Sequence, residues 1–243
     1  MSKVAISEEY LTDIANSIRE KLDTQDTYKV SEMSEAIDSI SGGGLDWSAI
    51  GYSEMPDYIQ EHYDYAVEIK NNWDSTQTSM QSKFANNRDL VIMPLVDTSN
   101  VTTMYSAFNS CIELTTLPLL DTSNVDSMRG AFSGCSKLKT IPLFDTSNVT
   151  NMKGMFSSCN NLQNLPKLNT SKVTNFQVMF SGCNILTDES VDNILQMCAN
   201  ATSYTSTKTL AYMSLTSTFY PASKIQSLPH YQDFINAGWT IGY

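Results

Sequence analysis

Between residues 73 and 187 the apolar positions return at a fixed interval of 24 residues. Leu90, Leu114, Leu138, Leu162 and Leu186 share one place in this frame, and Phe84, Phe108, Phe132, Phe156 and Phe180 share another. Val101, Val125, Val149 and Val173 make a third column. Met80, Met104, Met128 and Met152 make a fourth, with Phe176 in the last copy. Polar and turn residues keep the same beat. Pro94, Pro118, Pro142 and Pro166 are in register, and Asp-Thr-Ser-Asn begins at Asp97, Asp121 and Asp145, returning as Asn-Thr-Ser-Lys at Asn169. A unit this short cannot bury its apolar stripe alone, so its neighbours must stack on it, and the pattern predicts a solenoid.

Within one unit, Leu114, Leu117 and Leu119 give the spacing L-x-x-L-x-L, which predicts a short strand with Leu117 and Leu119 inward. Asp121-Thr-Ser-Asn124 then turns the chain, its side-chain oxygens within reach of nearby backbone N–H groups. Val125, Met128, Phe132 and Cys135 follow at steps of three and four, the period of one apolar helical stripe. Pro118 cannot donate to a ladder, so the strands are expected to be very short, about two or three residues. The first unit, 73–96, lacks the regular corner and has Asn87 where later units have cysteine, as a terminal repeat does.

The flanks read as helical. Ile6–Leu22 and Ser31–Ile40 form a predicted pair over 1–40, followed by the Gly-rich linker 41–44 and a leading cap over 45–72. In that cap, Pro56–Lys70 carries Ile59, Tyr63, Ala66 and Ile69 on one side. After the repeats at 73–187, Asp188–Ala199 places Val191, Ile194, Leu195 and Cys198 on one face and begins a C-terminal cap at 188–243 that closes the core.

Charge sharpens this division. The chain carries a net charge of −11, and ten of those charges arise within the first 96 residues, while 97–187 hold five acids and six bases. A solvated helical surface explains the acidic end, and a docking face for a partner is the sharper reading. No basic patch suited to phosphate is visible, so nucleic acid is not an expected partner. No stretch is long and apolar enough to span a membrane, and the first ten residues lack a secretory h-region. Synthesis in the cytoplasm is the expectation.

Little of the sequence points to chemistry. Cys111, Cys135, Cys159 and Cys183 are 24 apart, whereas zinc ligands come in closely spaced pairs. Burial as small apolar residues explains them, against a column of reactive thiols or a disulfide between units. Cys198 falls within the closing helix. His62 and His230 fit no catalytic or metal spacing and default to the surface. Sequons at Asn100, Asn148, Asn169 and Asn200 match the glycosylation pattern, but the first three arise from the repeated corner. The column Asp97, Asp121, Asp145 and Asn169 supplies one side-chain ligand per unit where calcium takes about six to eight oxygens, so turn formation is the better reading. No cofactor, metal or enzymatic activity is expected.

The phrase Cys-x-x-Leu-x-x-Ile/Leu-Pro, followed by Val-x-x-Met-x-x-x-Phe-x-x-Cys, resembles the BspA-like leucine-rich repeats over residues 73–187. Asp-Thr-Ser-Asn-Val-Thr-Asn-Met is similar to the branch found in bacterial surface proteins and Firmicutes phage or prophage proteins. Leu11-Thr-Asp-Ile-Ala-Asn-Ser-Ile-Arg-Glu-Lys21 with Val30-Ser-Glu-Met-Ser-Glu-Ala-Ile37 looks like a module at the start of phage tail proteins, and Tyr231–Tyr243 resembles their ends. The resemblance implies an α/β repeat fold: a right-handed leucine-rich-repeat solenoid of 24-residue units with very short parallel strands, preceded by a helical module and closed by a helical cap. It implies a non-enzymatic binding protein, a phage tail-tip or tail-fibre component of the virion that recognises a host cell-surface protein or glycan. Residues 1–40 would attach it to other tail proteins, and a homotrimer follows by the same likeness. A BspA-like adhesin on the bacterial surface is the alternative. The ligand face is expected at Thr115, Thr116, Lys139, Thr140, Gln163 and Asn164, the two positions after the first strand leucine. Leu120, Phe144 and Leu168, just before the corner, either pack at its edge or form an exposed apolar stripe beside that face.

Overall fold

The computed structural model describes residues 65–215 and 218–242. The helical pair 1–40, the linker 41–44, most of the leading cap and His62 lie outside the described residues. Equivalent positions of successive units face one another. Parallel bridges join Ser79 to Thr103, Thr103 to Ser127, Ser127 to Asn151 and Asn151 to Asn175, a step of one repeat each time.

Three lines of backbone hydrogen bonds hold adjacent units together. After the corner, Asp126 N–H donates back to Thr102 O, Thr150 to Asp126 and Thr174 to Thr150, each at 2.8 Å. On the next side the direction reverses. Met104, Ser106, Phe108 and Ser110 donate forward to Ser127, Arg129, Ala131 and Ser133. On the third side Thr115 donates back to Val91, Gln163 to Lys139 and Thr187 to Gln163. Where the pairing is strand-like it is confined to isolated bridges, and no extended strand forms among the described residues. The proline in every unit is consistent with this shortness, since it has no N–H for a ladder.

The stripe of Val125, Met128, Phe132 and Cys135 is buried, but no helix carries it. Its residues lie in successive turns, because each unit contains two backbone positions at positive φ, four residues apart. In one unit these are Ser106 (52°) and Ser110 (60°), and in the next Gly130 (60°) and Gly134 (77°). A left-handed residue every fourth position interrupts right-handed helical geometry. Between the forward bonds, Ala107, Asn109 and Cys111 instead donate to the carbonyls three residues back. Gly134 has a second reason to be glycine: a Cβ there would stand 3.2 Å from Ser110 Cα of the preceding unit.

Stacking turns each sequence column into a continuous row of core. Phe84, Phe108, Phe132, Phe156 and Phe180 lie ring on ring with centroids 5.3 to 5.9 Å apart and planes within 12°. Each buried ring contributes on the order of 1.5–3 kcal/mol by leaving water. Leu117 is buried as the spacing predicts, but Leu119 is 47% exposed and its counterpart Leu143 61%. The cause is a tight turn at the proline: Leu120 N–H donates to Pro118 O and Phe144 N–H to Pro142 O, both at 2.9 Å. This three-residue turn breaks the period-two alternation, so the residue after proline faces out and the next one faces in.

Both ends of the stack are finished by unlike structure. A helix over 65–71 precedes the first unit, where Trp73 stacks on Phe84 and donates Nε1–H to Asp97 O. Asn87, standing in for cysteine, donates to Tyr65 Oη and accepts from the N–H groups of Asp89 and Leu90. At the other end the helix Asp188–Asn200 starts on Thr187, whose side chain accepts from Ser190 N–H. It buries Val191, Ile194, Leu195 and Cys198 as its periodicity predicts, together with Met197. The 3₁₀ turn Leu210–Met213 then takes the place of a further unit, its Tyr212 and Met213 carbonyls accepting from Val178 and Phe180. Short helices Ala222–Gln226 and Tyr231–Asn236 complete the cap, and Trp239 packs edge-on to Phe176 and flat against Tyr204.

Candidate functional site

The Asp-Thr-Ser-Asn corner is accounted for letter by letter. Asp97 Oδ1 accepts from Ser99 N–H and its hydroxyl, and Asp121 Oδ1 does the same for Ser123. Such bonds, from Ser99 to Asp97 and from Ser147 to Asp145, the hydroxyl first and the amide second, hold these two carboxyls below their usual range. The threonine is buried, and its Oγ1–H donates 2.8 Å to the next unit's corner: Thr98 to Asp121 O, Thr122 to Asp145 O and Thr146 to Asn169 O. The asparagine reaches the other way, Asn124 Nδ2–H to Ser99 O and Asn148 Nδ2–H to Ser123 O. Each corner thus ties one unit to both neighbours. No group of three or more His, Cys, Asp or Glu side chains able to hold a metal occurs among the described residues.

The cysteine column is equally internal. Cys111, Cys135, Cys159 and Cys183 are buried and unpaired, and each thiol donates to a phenylalanine carbonyl of the preceding unit at 3.0 to 3.1 Å. Burial pushes the Cys111 and Cys183 thiols up to about 12 and those of Cys135, Cys159 and Cys198 up as well. A protonated, inaccessible sulfur is neither nucleophile nor ligand. His230 is not a free surface histidine. Its Nδ1 lies 2.6 Å from Asp192 Oδ2 and its backbone N–H donates to Asp192 Oδ1, fastening the last helix to the closing one.

The expected ligand face divides on inspection. Lys139, Gln163 and Asn164 are exposed, and Thr115 and Thr140 are half-buried. Thr116 is only 3% exposed, and its hydroxyl, without a hydrogen-bond partner, belongs to the interior rather than to a contact surface. Leu120, Phe144 and Leu168 are buried too, which removes them from any exposed stripe. Phe144 packs flat against Phe132 at 5.9 Å. An apolar stripe does reach the surface one residue earlier in three units, at Leu119 and Leu143 with half-buried Leu95, and the next unit has exposed Lys167 in that place. Sequence reasoning missed these residues because it carried strand alternation through the proline. Pro94, Pro118 and Pro142, each immediately before its leucine, were the available signal.

No curated protein and no solved structure matches the chain. Two overlapping segments, residues 54–120 and 78–194, match a family described as "Mycoplasma protein of unknown function, DUF285", and together they cover more than half of the sequence. The matched region takes in the stacked units and the start of the closing helix, so this repeat-containing chain belongs to the DUF285 family.

Proposed function

We propose that the stack is a right-handed leucine-rich-repeat solenoid of BspA-like type and that it works as a binding scaffold rather than an enzyme, in a phage tail-tip or tail-fibre protein that contacts a host surface. Hydrogen bonds between equivalent residues one repeat apart support the solenoid reading. The observation that carries the binding role is the side where Lys139, Gln163 and Asn164 are exposed while Leu119 and Leu143 expose apolar surface on the same arm of the unit. Polar groups beside leucines that could have been buried make a contact surface for a host protein or glycan. The site residues are therefore Thr115, Lys139, Thr140, Gln163 and Asn164, joined by Leu119 and Leu143.

The virion assignment rests on the likeness of the first 40 residues to tail proteins, and attachment to other tail proteins and trimer formation rest on it too. A family description naming Mycoplasma, a cellular bacterium, favours the second reading, an adhesin on the bacterial surface. Mass spectrometry of purified virions separates the two, because a tail component must be present in stoichiometric amounts. The surface itself is tested by Gln163→Ala with Leu143→Ser in the full chain. Both side chains are exposed, so the melting temperature should stay within about 2 °C of the parent, while binding to host cells falls at least about tenfold. Unchanged cell binding by a folded variant rejects this face.

A further inference from the structure

A second face of the stack follows the line of parallel bridges through Ser79, Thr103, Ser127, Asn151 and Asn175. In four of these residues the side-chain oxygen is engaged by the backbone N–H two positions on: Ser79 by Gln81, Thr103 by Tyr105, Asn151 by Lys153 and Asn175 by Gln177. Each bond uses an acceptor. The hydroxyl hydrogens of Ser79, Thr103 and Ser127 and the amide hydrogens of Asn151 and Asn175 donate to nothing among the described residues. All five positions are at least partly open to solvent. The face therefore presents a row of hydrogen-bond donors at the spacing of neighbouring strands, about 4.8 Å.

Two residues further along, the adjacent column holds Tyr105, Arg129, Lys153 and Gln177. The Arg129 guanidinium lies 5.2 Å from the Tyr105 ring centroid, so its position is fixed while its edge remains available. Neither Arg129 nor Lys153 enters an ion pair among the described residues. One carboxylate, Asp126, flanks the row on the other side. Those of Asp97 and Asp121 are turned back onto their own corners.

We propose that this face binds a carboxylate-bearing polysaccharide laid along the stack, its ring and hydroxyl oxygens accepting from the donor row and its carboxylates meeting Arg129 and Lys153. A peptide strand fits less well, because backbone groups along this line are engaged between units and offer no free edge for strand addition. Nucleic acid asks for more cations than two beside an acid. The proposal does not depend on the contact surface described above, which lies on another side of each unit.

Calorimetric titration of the full chain with polygalacturonate, its fully methyl-esterified form and an oligothymidine tests it. The acidic polymer should bind and weaken with salt, and the ester should bind at least about tenfold more weakly, because charge-assisted hydrogen bonds are lost. Asn151→Asp keeps the oxygen that caps Lys153 N–H but removes the donor, and it should weaken binding about tenfold, as should Lys153→Gln. Asp126→Asn should tighten it. Gln163→Ala with Leu143→Ser should leave it unchanged, which separates this result from the host-contact test. Equal binding of ester and acid, tighter binding of the oligonucleotide, no binding of the acidic polymer, or parent-like affinity in Lys153→Gln overturns the proposal. Lys153→Gln decides the matter if Asn151→Asp fails to fold.

Discussion

At the scale of the residue, the corner shows how four short side chains can specify a stack. Its aspartate shapes the turn, its serine answers the aspartate, and its threonine and asparagine bond to opposite neighbours. The third and fourth roles were not legible in the sequence, since a repeated Asp-Thr-Ser-Asn reads as one turn whichever polar side chain goes inside. The buried threonine is the most sensitive of the four. Thr146→Val keeps the shape but removes the hydrogen bond to Asn169 O, which should cost about 1 kcal/mol. Urea unfolding of the full chain measures it, and a parent-like midpoint would show that the bond contributes nothing net.

At the scale of the element, the interval of 24 made the core columns readable: the Leu, Phe, Val, Met and Cys columns are all buried. The backbone that carries them was not readable. Steps of three and four fit a helix and a run of turns equally well, and serines at positive φ, such as Ser106 and Ser110, disguise the left-handed positions that Gly130 and Gly134 would have announced. Val178, at φ 52°, takes the same conformation against the preference of a β-branched residue. The cysteine column supplies a direct test of how tightly the units close. With burial raising every thiol, iodoacetamide at about pH 8 should leave all five cysteines unmodified in the native chain and alkylate all five in denaturant. Mass spectrometry counts the adducts, and native labelling of Cys135 or Cys159 would mean that the stack opens between units.

At the scale of the whole molecule, stability is shared among repeated contacts, so its response to pH should follow the repeated corner. Asp97 and Asp145 titrate lower folded than unfolded. Their contribution is complete above the unfolded carboxyl range near about 4 and is lost as pH falls through the lowered folded values. Thermal unfolding should therefore show a decline that begins below about pH 4, and replacing Asp145 with Asn should flatten it. A midpoint that falls just as steeply in that variant would assign acid sensitivity elsewhere.

The bonds between units join each repeat only to the repeat before it and the repeat after it, and the chain enters the stack at one end and leaves at the other. Tension applied to the two ends consequently falls on one interface at a time instead of on all of them together. A terminal unit peels before its neighbour feels the full load, and its 24 residues pay out about 80 Å of extended chain. A protein built this way behaves under force as an extensible tether, lengthening by whole turns while the remaining surface stays intact.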